Sequence, residues 1–125
     1  MSTNILAMPL VDMTVTTGTN EDWIASLKYT QDDETTPLDL SGIALRMEVR
    51  RNVDDEEVAV EGSTTDGRVS IGGTGNAYVL INVPVTAMNN LLTEGTYVGD
   101  IVATADGYTR VIVRIVATIV KGVTR

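Results

Sequence analysis

The chain of 125 residues contains no cysteine, no histidine and no phenylalanine. Without cysteine there is no disulfide and no thiolate metal site, and the redox compartment leaves no trace in the composition. Without histidine, the usual general base near neutral pH and the commonest transition-metal ligand are both missing. Without phenylalanine, and with one tryptophan and four tyrosines, the core has to be assembled from Val, Ile, Leu, Met and a few larger rings. Basic residues are scarce as well: nine Lys and Arg against seventeen Asp and Glu leave a formal net charge of −8. That balance argues against nucleic acid, whose phosphates require clustered cations. Long apolar runs are lacking too, because Arg114 and Lys121 break the richest one well short of the roughly 18 residues of a membrane span. The opening Met1–Asp12 has neither a basic segment nor a long apolar stretch, so no signal peptide and no membrane partner are expected. The expectation is a soluble protein made in the cytoplasm.

What the chain does have is short β-branched runs separated by turn residues. The most informative is the C-terminal one. Thr96–Thr104 and Thr109–Val120 are two such runs joined by Ala105-Asp-Gly-Tyr108, where Asp-Gly supplies the positive φ of a tight hairpin turn. In the first arm Tyr97, Gly99, Ile101 and Ala103 share one face, and Val98, Asp100, Val102 and Thr104 the other. The second arm is apolar on both sides: Val111, Val113, Ile115, Ala117 and Ile119 on one, Ile112, Val116 and Val120 on the other, interrupted by Arg114 and Thr118. A strand of that kind is central in its fold or covered by a neighbouring chain. Its second face, with Ile112, Arg114, Val116, Val120 and the terminal Arg125, is therefore the candidate interface.

Upstream, alternation predicts strands over Leu10–Thr17 and Trp23–Thr30, with Trp23, Ala25, Leu27 and Tyr29 on one face. The lone Trp23 reads as a core plug between two sheets rather than as an exposed binding platform. A further strand over Ile43–Arg51 sets Leu45, Met47 and Val49 inward and Arg46, Glu48 and Arg50 outward. Val58–Val60, Val69–Ile71 and Asn76–Val83 are shorter candidates, with loops at Gly62–Gly67 and Gly72–Gly75. Thr86–Gly95 has Met88, Leu91 and Leu92 at helical spacing, Thr86 placed as N-cap and Gly95 as the stop. Seven to nine short strands and a single short helix, with no helical crossover, predict an all-β fold: an antiparallel β-sandwich of immunoglobulin-like size in one domain, with residues 1–9 as an N-terminal arm. A small barrel is the alternative.

Candidate chemistry is sparse. Asp32-Asp-Glu34 and Asp54-Asp-Glu-Glu57 lack the alternating oxygens and glycine turn that a calcium loop requires, and read as solvated loops. Gly72-Gly-Thr-Gly75 is followed by no Gly-Lys-Ser/Thr and no helix, so it reads as a hairpin turn rather than a phosphate cradle. No catalytic residue, cofactor or metal is expected. The acids concentrate between Glu21 and Asp66, whereas everything charged after Asp106 is basic; solvated faces, or a head-to-tail contact between copies, would account for that asymmetry.

The order of motifs adds a resemblance. Asp22-Trp23, then Pro37-Leu-Asp-Leu-Ser-Gly42 with Arg46-Met-Glu-Val-Arg50, then Asp66-Gly-Arg-Val-Ser-Ile71, Val83-Pro-Val-Thr-Ala87, Gly95-Thr-Tyr-Val-Gly-Asp-Ile101 and Val123-Thr-Arg125 resemble a family of small structural proteins of tailed bacteriophages and prophages, similar to the N-terminal domain of baseplate upper proteins. The similarity runs through nearly the whole chain. It implies a β-sandwich that anchors a receptor-binding or fibre assembly to the virion, with other virion proteins as partners, a homo-oligomeric state and no enzymatic activity. Head or neck decoration or connection is the alternative place in the particle. A free carbohydrate-binding module, stacking sugars on Trp23 and on Tyr29, Tyr78, Tyr97 or Tyr108, is the alternative of another class. The chain departs from the family pattern at Gly99, where an aromatic is usual, and a looser core is expected there.

Overall fold

The computed structural model describes residues 5–30, 36–88 and 94–123. Eight strands form two sheets: β1 (Val11–Gly18), β2 (Trp23–Lys28), β3 (Ala44–Arg50), β4 (Val60–Ser63), β5 (Val69–Gly72), β6 (Tyr78–Val83), β7 (Gly95–Ala105) and β8 (Tyr108–Val120). The larger sheet has the order β1-β8-β7-β3-β4 and the smaller β2-β6-β5. All pairs are antiparallel except β1 with β8, which run parallel from Val11↔Val113 to Gly18↔Val120. The fold is an all-β sandwich. Its core is built as the missing phenylalanines require, from Leu45, Met47 and Val49 of β3, Ile101 and Ala103 of β7, Ile115, Ala117 and Ile119 of β8, and Val79, Ile81 and Val83 of β6.

The C-terminal hairpin forms where its turn chemistry places it. Asp106 and Gly107, with φ of 53° and 82°, make a two-residue turn closed by Ala105↔Tyr108, and paired positive φ values match the twist of the strands they join. The register then slips between Ile101 and Val102: Val102 pairs with Val111 and Ile101 with Val113, leaving Ile112 as an extra residue. Such a bulge places two successive side chains on the same side of the sheet. Ile112 and Val113 are accordingly both fully buried, and Val111 turns outward. The expected assignment of Ile112 to the outer face of β8 is thereby corrected, since strict alternation does not survive the bulge.

Tyr29, just past β2 and 2% exposed, reaches from the small sheet to the large one and donates its hydroxyl to the Ile112 carbonyl at 2.9 Å. Burial raises its phenol from 10.0 to about 12. Trp23 is also buried at 2%, as a core plug should be.

Three other expectations move. The short strand placed at Val58–Val60 lies instead at Val60–Ser63, paired with β3 through Met47↔Gly62 and Val49↔Val60. Gly62 lets the chain pass close over Arg68, whose Cβ would lie 2.8 Å from a Cβ there. The helix α1 spans Val85–Met88, directly after Pro84. Its first amide, that of Val85, is bound by the Asp22 carboxylate at 2.7 Å, so an acid from the turn between β1 and β2 caps it rather than Thr86. Leu91 and Leu92 lie outside the described residues, as does Asp32–Glu34. In the N-terminal segment Ile5 and Met8 are 2% and 1% exposed, which packs it against the end of the sandwich from Ile5 onward.

Replacing Tyr29 by Phe removes the donor to a buried carbonyl and should cost about 1–3 kcal/mol, read as a lower urea midpoint. The alkaline limb gives a second signature. Between about 10 and about 12 the folded state keeps a phenol proton that the unfolded chain releases, so the stability contributed by Tyr29 is lost as pH rises through that window. The Phe variant should lack this component of the pH–stability profile.

Candidate functional site

Five strands face three, and the smaller sheet lies against one side of the larger, so the other side of the larger sheet has no second layer among the described residues. This outer face is where β8 presents its second row of side chains. Arg114, Val116 and Val120 of the expected interface lie on it, with Val116 44% and Val120 48% exposed. Val111 joins them at 39% in place of the buried Ile112. Arg125 lies outside the described residues.

Register aligns the face in rows running across the strands. One row reads Asp12, Arg114, Asp100, Glu48 and Glu61 from β1 to β4. The next carries Thr14, Val116, Val98 and Arg50. On the other side of the charged row lie Val111, Val102 and Arg46. A concavity of about 770 Å³ opens over this centre, walled by Leu10 ahead of β1 and by Val53 beyond β3. The Val53 wall is held up by Arg50, whose guanidinium donates to the carbonyls of Asp55 and Glu56 at 2.8 Å each. The acidic run Asp54–Glu57 thus stands as a loop tied to the sheet by backbone acceptors, with Asp54, Glu56 and Glu57 exposed and the Asp55 carboxylate accepting from the Asn52 amide at 3.1 Å.

The charges within the concavity are unequally partnered. Arg114 pairs with Asp12 through Nε–Oδ1 at 2.9 Å, while Arg46 and Arg50 both hold Glu48 at 2.5 Å. Asp100, directly opposite Glu48 on the neighbouring strand, accepts no hydrogen bond and enters no ion pair among the described residues. Partial burial and the adjacent Glu48 raise its carboxyl above the ordinary range, against the opposing pull of Arg50. Like charges in direct cross-strand register are unfavourable, and a cation arriving from outside would relieve this pair.

Gly99 lies beneath this floor. An inward Cβ at this position would sit 2.6 Å from the Glu48 carbonyl oxygen and 2.8 Å from Val49 Cγ2. The expected looseness is therefore not found: β3 backbone and the Val49 side chain already occupy the space an aromatic would need.

Sequence reasoning missed Asp100, Val111 and Leu10 as members of this face. Asp100 and Glu48 were legible as outward residues of their own strands, but their juxtaposition depends on β7 pairing with β3. Of the aromatics named for sugar stacking, Trp23, Tyr29 and Tyr97 are buried, whereas Tyr108 is 54% exposed and Tyr78 half-buried. Among the described residues there is no group of three or more Asp and Glu able to hold a metal ion.

No protein-family model matches the chain, and no curated protein matches it. Among solved structures it is similar to CopC from Methylosinus trichosporium OB3b, at 11% identity over 94% of this chain and 89% of that one, with a TM-score of 0.43. It is similar also to the NK cell receptor NKp44, at 10% identity over 89% of this chain and 98% of the receptor, with a TM-score of 0.40. A third similarity, to the ZIG-8–RIG-5 IG1-IG1 heterodimer, covers 91% of this chain and 83% of the matched one at 11% identity and a TM-score of 0.38. These likenesses concern the fold alone.

Gly99→Ala should lower stability by roughly 1–3 kcal/mol, because the obstructing atom is backbone and cannot step aside as a flexible side chain would. Equilibrium denaturation checks this, and a variant as stable as the parent would show that β3 and β7 are less closely apposed.

Proposed function

We propose that this chain is a non-enzymatic structural component of a tailed-bacteriophage virion, assembling in multiple copies and linking tail, baseplate or fibre components. The observation that carries the reading is the outer face of the large sheet, where Val111, Val116 and Val120 stay exposed on the most extensively paired strand of the protein. Exposed valines set on both sides of a row of charges, on a strand paired along both edges, support reading this face as a protein-contact surface. The motif order from Asp22-Trp23 to Val123-Thr-Arg125 supports placing those contacts inside a phage particle, with other virion proteins and further copies of the chain as partners. A β-sandwich with exposed valines and intramolecularly paired arginines provides adhesion and positioning, and the reading assigns it no chemistry. Head or neck connection is the alternative position within the same particle.

Mass spectrometry of density-purified particles, produced from a lysogen or infected host encoding the chain, tests the reading. The chain should co-purify at several copies per particle, and Val116→Asp should reduce its incorporation at least tenfold while the free protein keeps its fold by circular dichroism. Intact, infectious particles lacking the chain would overturn the assignment.

A further inference from the structure

We infer that the outer face of the five-stranded sheet is occupied by a second copy of the same chain, the two sheets stacking about a two-fold axis that runs parallel to the strands between β7 and β8. The inference rests on the reading of this face as a docking surface and specifies what docks there.

The argument starts from the register of the central hairpin. Along its outer side the paired residues are Val102↔Val111, Asp100↔Arg114, Val98↔Val116 and Thr96↔Thr118. A two-fold axis between the two strands exchanges β7 and β8, so each residue of one copy faces the register partner of its counterpart in the other. Val116 then meets Val98 of the second copy, Val111 meets Val102, and Thr118 meets Thr96. At the centre Arg114 meets Asp100 of the second copy, twice by symmetry. The pairing that suits a hairpin's own cross-strand neighbours also suits its image: apolar on apolar, hydroxyl on hydroxyl, cation on anion. On the flanking strands Asp12 of one copy is brought opposite Glu48 of the second, an acid already held between Arg46 and Arg50, so the central hairpin rather than the flanks carries the charge complementarity.

Two further observations fit this occupant. Asp100 is a half-buried carboxylate with a like charge opposite and no ion pair among the described residues, the local imbalance that an incoming arginine corrects. Size fits as well. The axis overlaps β1, β8, β7 and β3 of the two copies and leaves β4 outside; four strands about 4.8 Å apart and about eight residues long offer on the order of 500 Å² of plane per copy before side-chain relief adds to it, against the roughly 800 Å² per partner of a specific interface. Aligned stacking of two twisted sheets, at about 30° between strand directions, keeps the central rows in contact.

The test uses the purified chain and sedimentation equilibrium. The parent should be a dimer. Arg114→Asp sets Asp against Asp100 of the second copy, and Asp100→Arg sets Arg against Arg114. Each variant alone should dissociate with a constant raised on the order of 100-fold or more. Mixed in equal amounts, the two variants should form a one-to-one heterodimer, because both central contacts again join opposite charges. Restored association on mixing places positions 114 and 100 at the contact, and dimerisation of the parent selects the pairing of 114 with 100, because 114 on 114 and 100 on 100 would set like charges together in the parent. Should Asp100→Arg fail to fold, Val116→Lys and Val98→Asp make the same exchange one row away. A parent dimer indifferent to all four changes would overturn the geometry, and a parent that stays monomeric at millimolar concentration would overturn the second copy as occupant. A monomeric parent whose Val116→Asp variant still drops out of particles would leave the face as a docking surface for a different virion protein, separating failure of this inference from failure of the assembly reading.

Discussion

The hydrogen bond from Tyr29 to the Ile112 carbonyl is the constraint on which the arrangement of the outer face depends. It joins the two sheets at the point where β8 carries one residue too many, and it supplies a donor to a carbonyl on the extra residue. A buried carbonyl without a donor costs more than the bond itself contributes, so the bulge and the tyrosine support one another. The consequence lies on the far side of the sheet. Because Ile112 and Val113 both turn inward, Arg114 and Val116 fall into register with Asp100 and Val98, and Val111 comes out to face water. Without the bulge, the turn-proximal end of β8 would present the opposite set of residues.

The periodic parts of the fold were legible in the sequence for a simple reason. Strands β1, β2, β3 and β6 each alternate over six to eight residues, and a period of two has only one buried solution when a single face is apolar. The Asp106-Gly107 turn was legible because few dipeptides accept two positive φ values. What failed were features set by tertiary contact. The β4 strand is short and contains a glycine, and its position follows from pairing with β3. The cap on α1 comes from Asp22, about sixty residues away in the chain, so local reasoning assigned it to Thr86. The bulge at Ile112 cannot be read from a strand apolar on both faces, where a shift of one residue changes nothing in the pattern.

The candidate site was half legible for the same reason. Doubly apolar character marked β8 as a strand with a second face to cover, and that face carries Arg114, Val116 and Val120. The row that organises it spans five strands and includes Asp100 and Glu48, residues whose meeting is a fact of sheet order. The parallel pairing of β1 with β8 had no local signal either, yet it brings Asp12 to Arg114 and so completes the row.

Paired charges in the midst of exposed valines matter more for what the face admits than for the stability of the fold. Arg114 and Asp12 are 62% and 71% exposed at their side chains, and surface ion pairs of that kind contribute at most about 1 kcal/mol. A face of valines alone would adhere to any apolar surface, whereas one crossed by a row of fixed charges excludes partners that bring no complementary row, since an unpaired charge left in a dry contact costs several kcal/mol. The row is asymmetric, with an arginine tied at one end and an underpartnered acid beside it. That asymmetry distinguishes between orientations. In the dimer proposed above, sliding the partner by one strand would replace Arg114 on Asp100 with Arg114 on Arg114 or Asp100 on Asp100, and sliding it by one row would set a valine on an ion. In that proposed dimer, specificity would arise from the same register that builds the sheet, with the valines supplying adhesion and the charged row fixing where it can occur.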